Sequence, residues 1–220
     1  MKALIYHHLK DAILSRQLPP GKQLVENEIS TMLQVSRTPI RSAINLLAEE
    51  GLVDIKPNKG AFVTNPTREE IVQAYDLRKR LEIMAASMAV RHLNANDFIT
   101  MEECIQMEKE AIFSRNIKGY LQANQDFHMV YTKKCGNPFL IDFIEKLINQ
   151  TAIYLILFDM VFDKESSARP YGYKEHWEIM EFFRERKLEK IISSLERHFD
   201  HAVESLQIQH EYKDLKGIFQ

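Results

Sequence analysis

A chain of 220 residues with 45% hydrophobic and 27% charged side chains is long enough for one large domain or two of ordinary size, and its composition is that of a globular protein. No run of about 18 apolar residues occurs and the N-terminus lacks the apolar stretch of a signal peptide, which argues against a membrane partner and leads us to expect a cytoplasmic protein. Two cysteines, Cys104 and Cys135, exclude a disulfide framework, and the net charge of −2 is unevenly divided: residues 1–66 carry 8 basic against 6 acidic side chains, residues 67–220 carry 21 against 25.

Residues 2–16 place Leu4, Ile5, Leu9, Ala12 and Ile13 on one helical face, and Pro19-Pro20-Gly21 ends that helix. Ile29, Met32 and Leu33 recur at helical spacing, break at Gln34-Val35-Ser36, and resume as Ile40, Ala43, Ile44 and Leu47. Two short helices joined by a tight turn form a helix-turn-helix. Ser36 is a suitable N-cap for the second helix, and Pro39 is tolerated in its first turn. The opening turn then presents Arg37, Thr38 and Arg41 away from the apolar face, where arginine can fork onto guanine and Thr38 or Ser42 can reach phosphate or a thymine methyl. The plainer alternative is a solvated polar face. Beyond Gly51, Leu52-Val53-Asp54-Ile55 and Ala61-Phe62-Val63-Thr64 alternate as strands around Pro57-Asn58-Lys59-Gly60, which makes a β-hairpin wing with Lys56 and Lys59 near its tip.

Asn65-Pro66-Thr67 marks a boundary, and Thr67 with Glu70 reads as a capping box. From there the pattern is helical, with helices expected at about 68–93, 96–114, 117–135, 138–163, 173–186 and 188–211 and breaks including Ser166-Ser167-Ala168-Arg169-Pro170. The expected fold is mostly α: a winged helix-turn-helix over 1–66 followed by an all-α bundle over 67–220.

Polar residues at apolar spacing single out one region of the bundle. Leu121, Asn124, His128 and Tyr131 share a stripe, His176 opens a helix continuing through Met180 and Phe183, and His198 lies between Leu195 and Ala202. Three imidazoles and an amide oxygen from three helices can hold a transition metal; a hydrogen-bonded core histidine is the alternative at each position. Arg78, one turn from Glu82, either forms a surface pair or points inward to receive a carboxylate.

Pro20-Gly21, Leu24, Glu26, the run Ser36-Arg37-Thr38-Pro39-Ile40-Arg41-Ser42-Ala43, Leu47, Glu50-Gly51-Leu52-Val53 and Asn58-Lys59-Gly60-Ala61-Phe62-Val63 together resemble the winged-helix domain of GntR-family transcriptional regulators. Arg78-Lys79-Arg80-Leu81-Glu82, Phe127-His128, Gly136-Asn137-Pro138, His176 and His198 resemble the FCD effector domain of the FadR branch, so the likeness spans nearly the whole chain. The resemblance implies a homodimer that reads a palindromic operator through Ser36, Arg37, Thr38, Arg41, Lys59 and Gly60 and acts as a repressor. It further implies a divalent transition metal, zinc, nickel or manganese, on Asn124, His128, His176 and His198, and a small organic acid held by that metal and Arg78. Asn124 stands where many relatives have aspartate, which removes a negative charge from the ligand set, and His201 falls outside the pattern. Two further readings are a metal-dependent hydrolase or lyase with a tethered DNA-binding domain, in which a metal-bound water is activated, and a metal-ion sensor proper.

Overall fold

The computed structural model describes residues 1–158 and 172–206; the break expected at 166–170 and the expected helix ends at 159–163 and 207–211 lie outside the described residues. The N-terminal elements are α1 (Lys2–Leu14), β1 (Gln23–Leu24), α2 (Glu26–Leu33), α3 (Arg37–Glu49), β2 (Val53–Lys56) and β3 (Gly60–Val63). Gln34, in the left-handed region, turns the chain between α2 and α3, and Ser30 Oγ donates to the Val35 carbonyl at 2.6 Å to fasten that turn. Ser36 occupies the N-cap position of α3, yet its hydroxyl makes no capping hydrogen bond.

Two details depart from the apolar spacing. Leu4, Met32 and Leu33 are exposed, because the buried stripe of α1 is confined to Ile5, Ile13 and Leu14, and α2 buries no residue fully and rests on the core through the partly buried Ile29. The short strand β1 was not expected: Gln23 and Leu24 pair antiparallel with Phe62 and Ala61, giving a three-stranded sheet in the order β1-β3-β2. A two-residue strand carries no alternation for the sequence to display.

The remaining described elements are helical: α4 (Arg68–Ala89), α5 (Ala95–Phe113), α6 (Ile117–Lys133), α7 (Pro138–Phe158), α8 (Gly172–Arg184) and α9 (Leu188–Ser205). The capping box at Thr67 is formed, the Glu70 amide donating to Thr67 Oγ1 and the Thr67 amide to Glu70 Oε2 at 2.7 Å. Thr67→Ala is therefore expected to lower stability by about 0.5–2 kcal/mol, read from the midpoint of urea unfolding.

The bundle core runs through Ile71, Tyr75, Met101, Phe127, Tyr131, Phe183, Ile191, Leu195 and Phe199. The N-terminal core gathers Ile5, Ile13, Ile40, Ile44, Leu47, Leu52 and Val63, and it is completed by Ile153, Ile156 and Leu157 of α7. Arg16 Nε donates to the Ile156 carbonyl at 3.0 Å, and Lys118 of α6 pairs with Asp11 of α1 at 2.7 Å. At Gly51, where φ is +78°, a Cβ would lie 3.0 Å from Ile153 Cδ1, so a residue without a side chain lets the end of α3 seat against α7.

Candidate metal centre and nucleic-acid interface

The apolar faces of α6, α8 and α9 carry His128, His176 and His198 into the bundle, where the three side chains are buried. Their ring centroids lie 4.7–5.3 Å apart, and Phe127 stacks on His176 at 4.2 Å. One ring nitrogen from each of the three falls within 4.8 Å of the others.

Each imidazole is held from behind by a carboxylate. His128 Nδ1 lies 2.6 Å from Glu82 Oε2 on α4, His176 Nδ1 2.7 Å from Glu108 Oε2 on α5, and His198 Nδ1 2.9 Å from Glu175 Oε2 on α8. A carboxylate accepts, so in each case Nδ1 carries the proton, and in the neutral ring the lone pair is then on Nε2. Burial pushes His128 down to about 3 and also lowers His198, so both rings are neutral at ordinary pH. Burial would raise the Glu82 carboxyl, but the charge of Arg78 and the hydrogen bonds from His128 and Tyr131 hold it far below the usual carboxylate range.

This arrangement fits a metal. His176 Nε2 and His198 Nε2 face each other at 3.3 Å, and His128 Nε2 is buried without a hydrogen-bond partner among the described residues. Two nitrogens bound to one tetrahedral zinc at about 2.0–2.1 Å would stand roughly 3.3 Å apart. Glu82, Glu108 and Glu175 with Arg78 sum to a formal charge of −2, the amount one divalent cation cancels. The negative charge that Asn124 does not supply is thus present one layer out, behind the imidazoles. Asn124 is buried one turn before His128 on α6 and so shares its face.

Arg78 is 3% exposed, which settles the choice between the two sequence readings in favour of an inward side chain. Its Nε donates to Glu82 Oε1 at 2.6 Å, Nη1 donates to Thr151 Oγ1 of α7 at 2.7 Å, and the guanidinium lies 5.1 Å from the Phe199 ring centre. Its Nη2 has no hydrogen-bond partner among the described residues. His201 stands at the margin: it is exposed, and its Nδ1 lies 2.5 Å from Glu175 Oε1.

The carboxylates behind the imidazoles escaped sequence reasoning, although two of them carried a signal. Glu108 continues the buried series Met101, Cys104 and Ile105, and Glu82 interrupts the series Tyr75, Arg78, Ala85 and Ala89, so both are charges at apolar spacing. Glu175 is merely the neighbour of His176, and no periodicity marks it. Gly172, the first residue of α8, belongs with this group, since a Cβ there would lie 2.9 Å from Glu108 Oε1.

At the other end of the molecule, Ser36, Arg37, Thr38 and Arg41 are all exposed at the start of α3, and Lys59 and Gly60 are exposed at the wing tip. Gln23 Nε2 of β1 donates to the Lys59 carbonyl at 2.9 Å, bracing that tip. Arg41 donates from Nε and Nη2 to the two carboxylate oxygens of Glu26, at 2.9 and 2.8 Å.

Residues 2–63 match the family described as bacterial regulatory proteins, gntR family, and residues 73–201 match the FCD domain. The HTH-type transcriptional repressor RspR of Escherichia coli (strain K12) is 26% identical over 212 residues, covering 96% of this chain and 91% of that protein. The Nta operon transcriptional regulator of Aminobacter aminovorans is 24% identical over 198 residues, covering 88% and 90%. Among solved structures, a GntR transcriptional regulator from Rhodococcus sp. RHA1 shares the fold with a TM-score of 0.68 at 23% identity, over 96% of this chain and 99% of that one. A front end shaped to read DNA, a helical domain with a buried polar centre and these matches together place the chain: it belongs to the GntR family of bacterial regulatory proteins, with an FCD domain, and is a DNA-binding transcriptional regulator rather than an enzyme.

Proposed function

We propose that this regulator is a cytoplasmic homodimeric repressor in which a DNA-reading unit, residues 1–66, is governed by an effector domain, residues 67–220, that senses a small organic acid through a divalent metal. The observation that carries the reading is the set of three buried imidazoles whose Nδ1 atoms all rest on carboxylates and of which one ring nitrogen each lies within 4.8 Å of the others. Asn124, His128, His176 and His198 would hold the ion, which supplies a positive charge able to receive a carboxylate. Arg78 offers a second anchor through its unpartnered Nη2. Arg37, Thr38, Arg41 and Ser36 would meet base edges and phosphates in the major groove, and Lys59 and Gly60 the backbone beside it.

Dimerisation is supported by the outer face of α4, where Leu77, Met84 and Met88 are exposed at helical spacing, and by Phe139 and Phe143 on α7, 75% and 60% exposed. Apolar residues left in water at such spacing are commonly covered by a partner. A two-fold pair reads an inverted repeat.

Helix α7 links the two ends. Thr151 accepts from Arg78, and Ile153 and Ile156, within the next two turns, lie in the core of the DNA-reading unit. A ligand that draws Arg78 toward itself acts on Thr151 and thereby on the seat of α3. Such a ligand shifts DNA affinity only by its preference for one arrangement over the other.

The test begins with purified protein and a duplex selected from a random pool. About one divalent ion per chain is expected, and at fixed metal short hydroxy acids or dicarboxylic acids are expected to weaken DNA binding by about 5- to 150-fold. Operator release by metal alone, with no response to acids, would reassign the protein as a metal-ion sensor.

A further inference from the structure

The pair Glu26–Arg41 joins the first turn of α2 to the second turn of α3 on the face offered to DNA. A guanidinium has two forked edges, one made by Nε with one terminal nitrogen and one made by the two terminal nitrogens. Glu26 fills the first, with Nε on Oε1 and Nη2 on Oε2. Either edge can fork onto the O6 and N7 acceptors of guanine, and with the side edge taken by Glu26 the one left to do so is the end-on edge, Nη1 with the second hydrogen of Nη2. The Arg41 side chain is 65% exposed and Glu26 27%, so the arginine stands outward with the carboxylate behind it.

Resting on the reading that α3 enters the major groove, we infer that Glu26 is a specificity-determining positioning residue: it clamps the side edge of Arg41 and presents the end-on edge to a guanine in each half-site. Two physical effects follow from that geometry. A long side chain already fixed in one orientation loses less rotamer freedom when it meets the base. A carboxylate held near the duplex also repels phosphates, so the clamp weakens binding to every sequence and is compensated only where Arg41 finds its acceptors. Glu26 therefore sharpens discrimination while lowering general affinity. The hydrogen bond from Arg41 holds the Glu26 carboxyl below its ordinary range, which keeps the clamp charged at neutral pH.

Selection from a random duplex pool, followed by binding measured across salt concentrations, tests this with the full-length protein and its E26A, E26Q, R41A and E26A/R41A variants. R41A is expected to erase a guanine preference of about 5- to 150-fold at one position of each half-site. E26A is expected to relax that same position, to tighten binding to unrelated duplex and to steepen the salt dependence, and the double variant is expected to match R41A. An exposed ion pair contributes little to folding, so the melting temperature of E26A should fall by no more than about 2–4 °C. E26Q keeps one acceptor without the charge, so it should retain part of the base preference while losing the repulsion. If R41A relaxes a position and E26A and E26Q leave it as sharp as the parent, or blunt a different one, the inference about Glu26 is overturned and the reading of α3 stands. If R41A changes no position, both fall.

Discussion

His176→Ala is expected to abolish metal retention and to destabilise the effector domain at the same time. Loss of a residue that merely orients a ligand lowers metal affinity about 10- to 100-fold, and loss of a ligand itself exceeds that. The second effect has its origin in Glu108, whose side chain is fully buried and whose hydrogen-bond partner among the described residues is His176 Nδ1. Removing the hydrogen-bond donor of a buried acceptor costs about 1–3 kcal/mol, and more where the acceptor is charged, because that acceptor is left unsatisfied away from water. Metal analysis of the purified variant and its urea unfolding, run beside His201→Ala as an exposed control, measure the two effects separately. A His176→Ala protein that still carries one tightly held ion would refute the proposed centre.

Arg37→Ala is expected to remove sequence-specific DNA binding and leave the fold intact. Arg37 is exposed at the first position of α3, where a substitution disturbs no core side chain. A forked arginine contact to guanine contributes about 1–3 kcal/mol of discrimination, and the proposed dimer would make two such contacts, so the expected loss is about 2–6 kcal/mol at matched salt. Lys59→Ala is the informative contrast, since a lysine at the wing tip acts on phosphates: binding should weaken for all sequences alike, with a shallower salt dependence. Unchanged preference in the Arg37 variant would move the reading surface elsewhere.

The two halves of the molecule differed in how plainly the sequence announced them. Helix periods, the capping box at Thr67, the Gly51 stop and the alternation of the wing are local, and local signals fix which element forms and roughly where it ends. The three histidines were legible as polar residues on apolar stripes. What surrounds them was not. Glu82 and His128 are 46 residues apart in the chain, Glu108 and His176 are 68 apart, and no period links α4 to α6 or α5 to α8. Arg78 shows the same limit in a single side chain. Its spacing from Glu82 described an i to i+4 pair equally well on the surface or in the core, and only the packing of α7 and α9 over it decides. Strand β1 was lost for the opposite reason: two residues are too few to show a pattern, and Gln23 matters through its long-range hold on the Lys59 carbonyl.

The completion of the N-terminal core by Ile153, Ile156 and Leu157 bears on how such regulators can be rebuilt. A reading head of this kind is not a cartridge. Grafted onto another effector domain, it would meet a different surface where Gly51 now touches Ile153. A working chimera would have to carry the inner face of α7 along with the head.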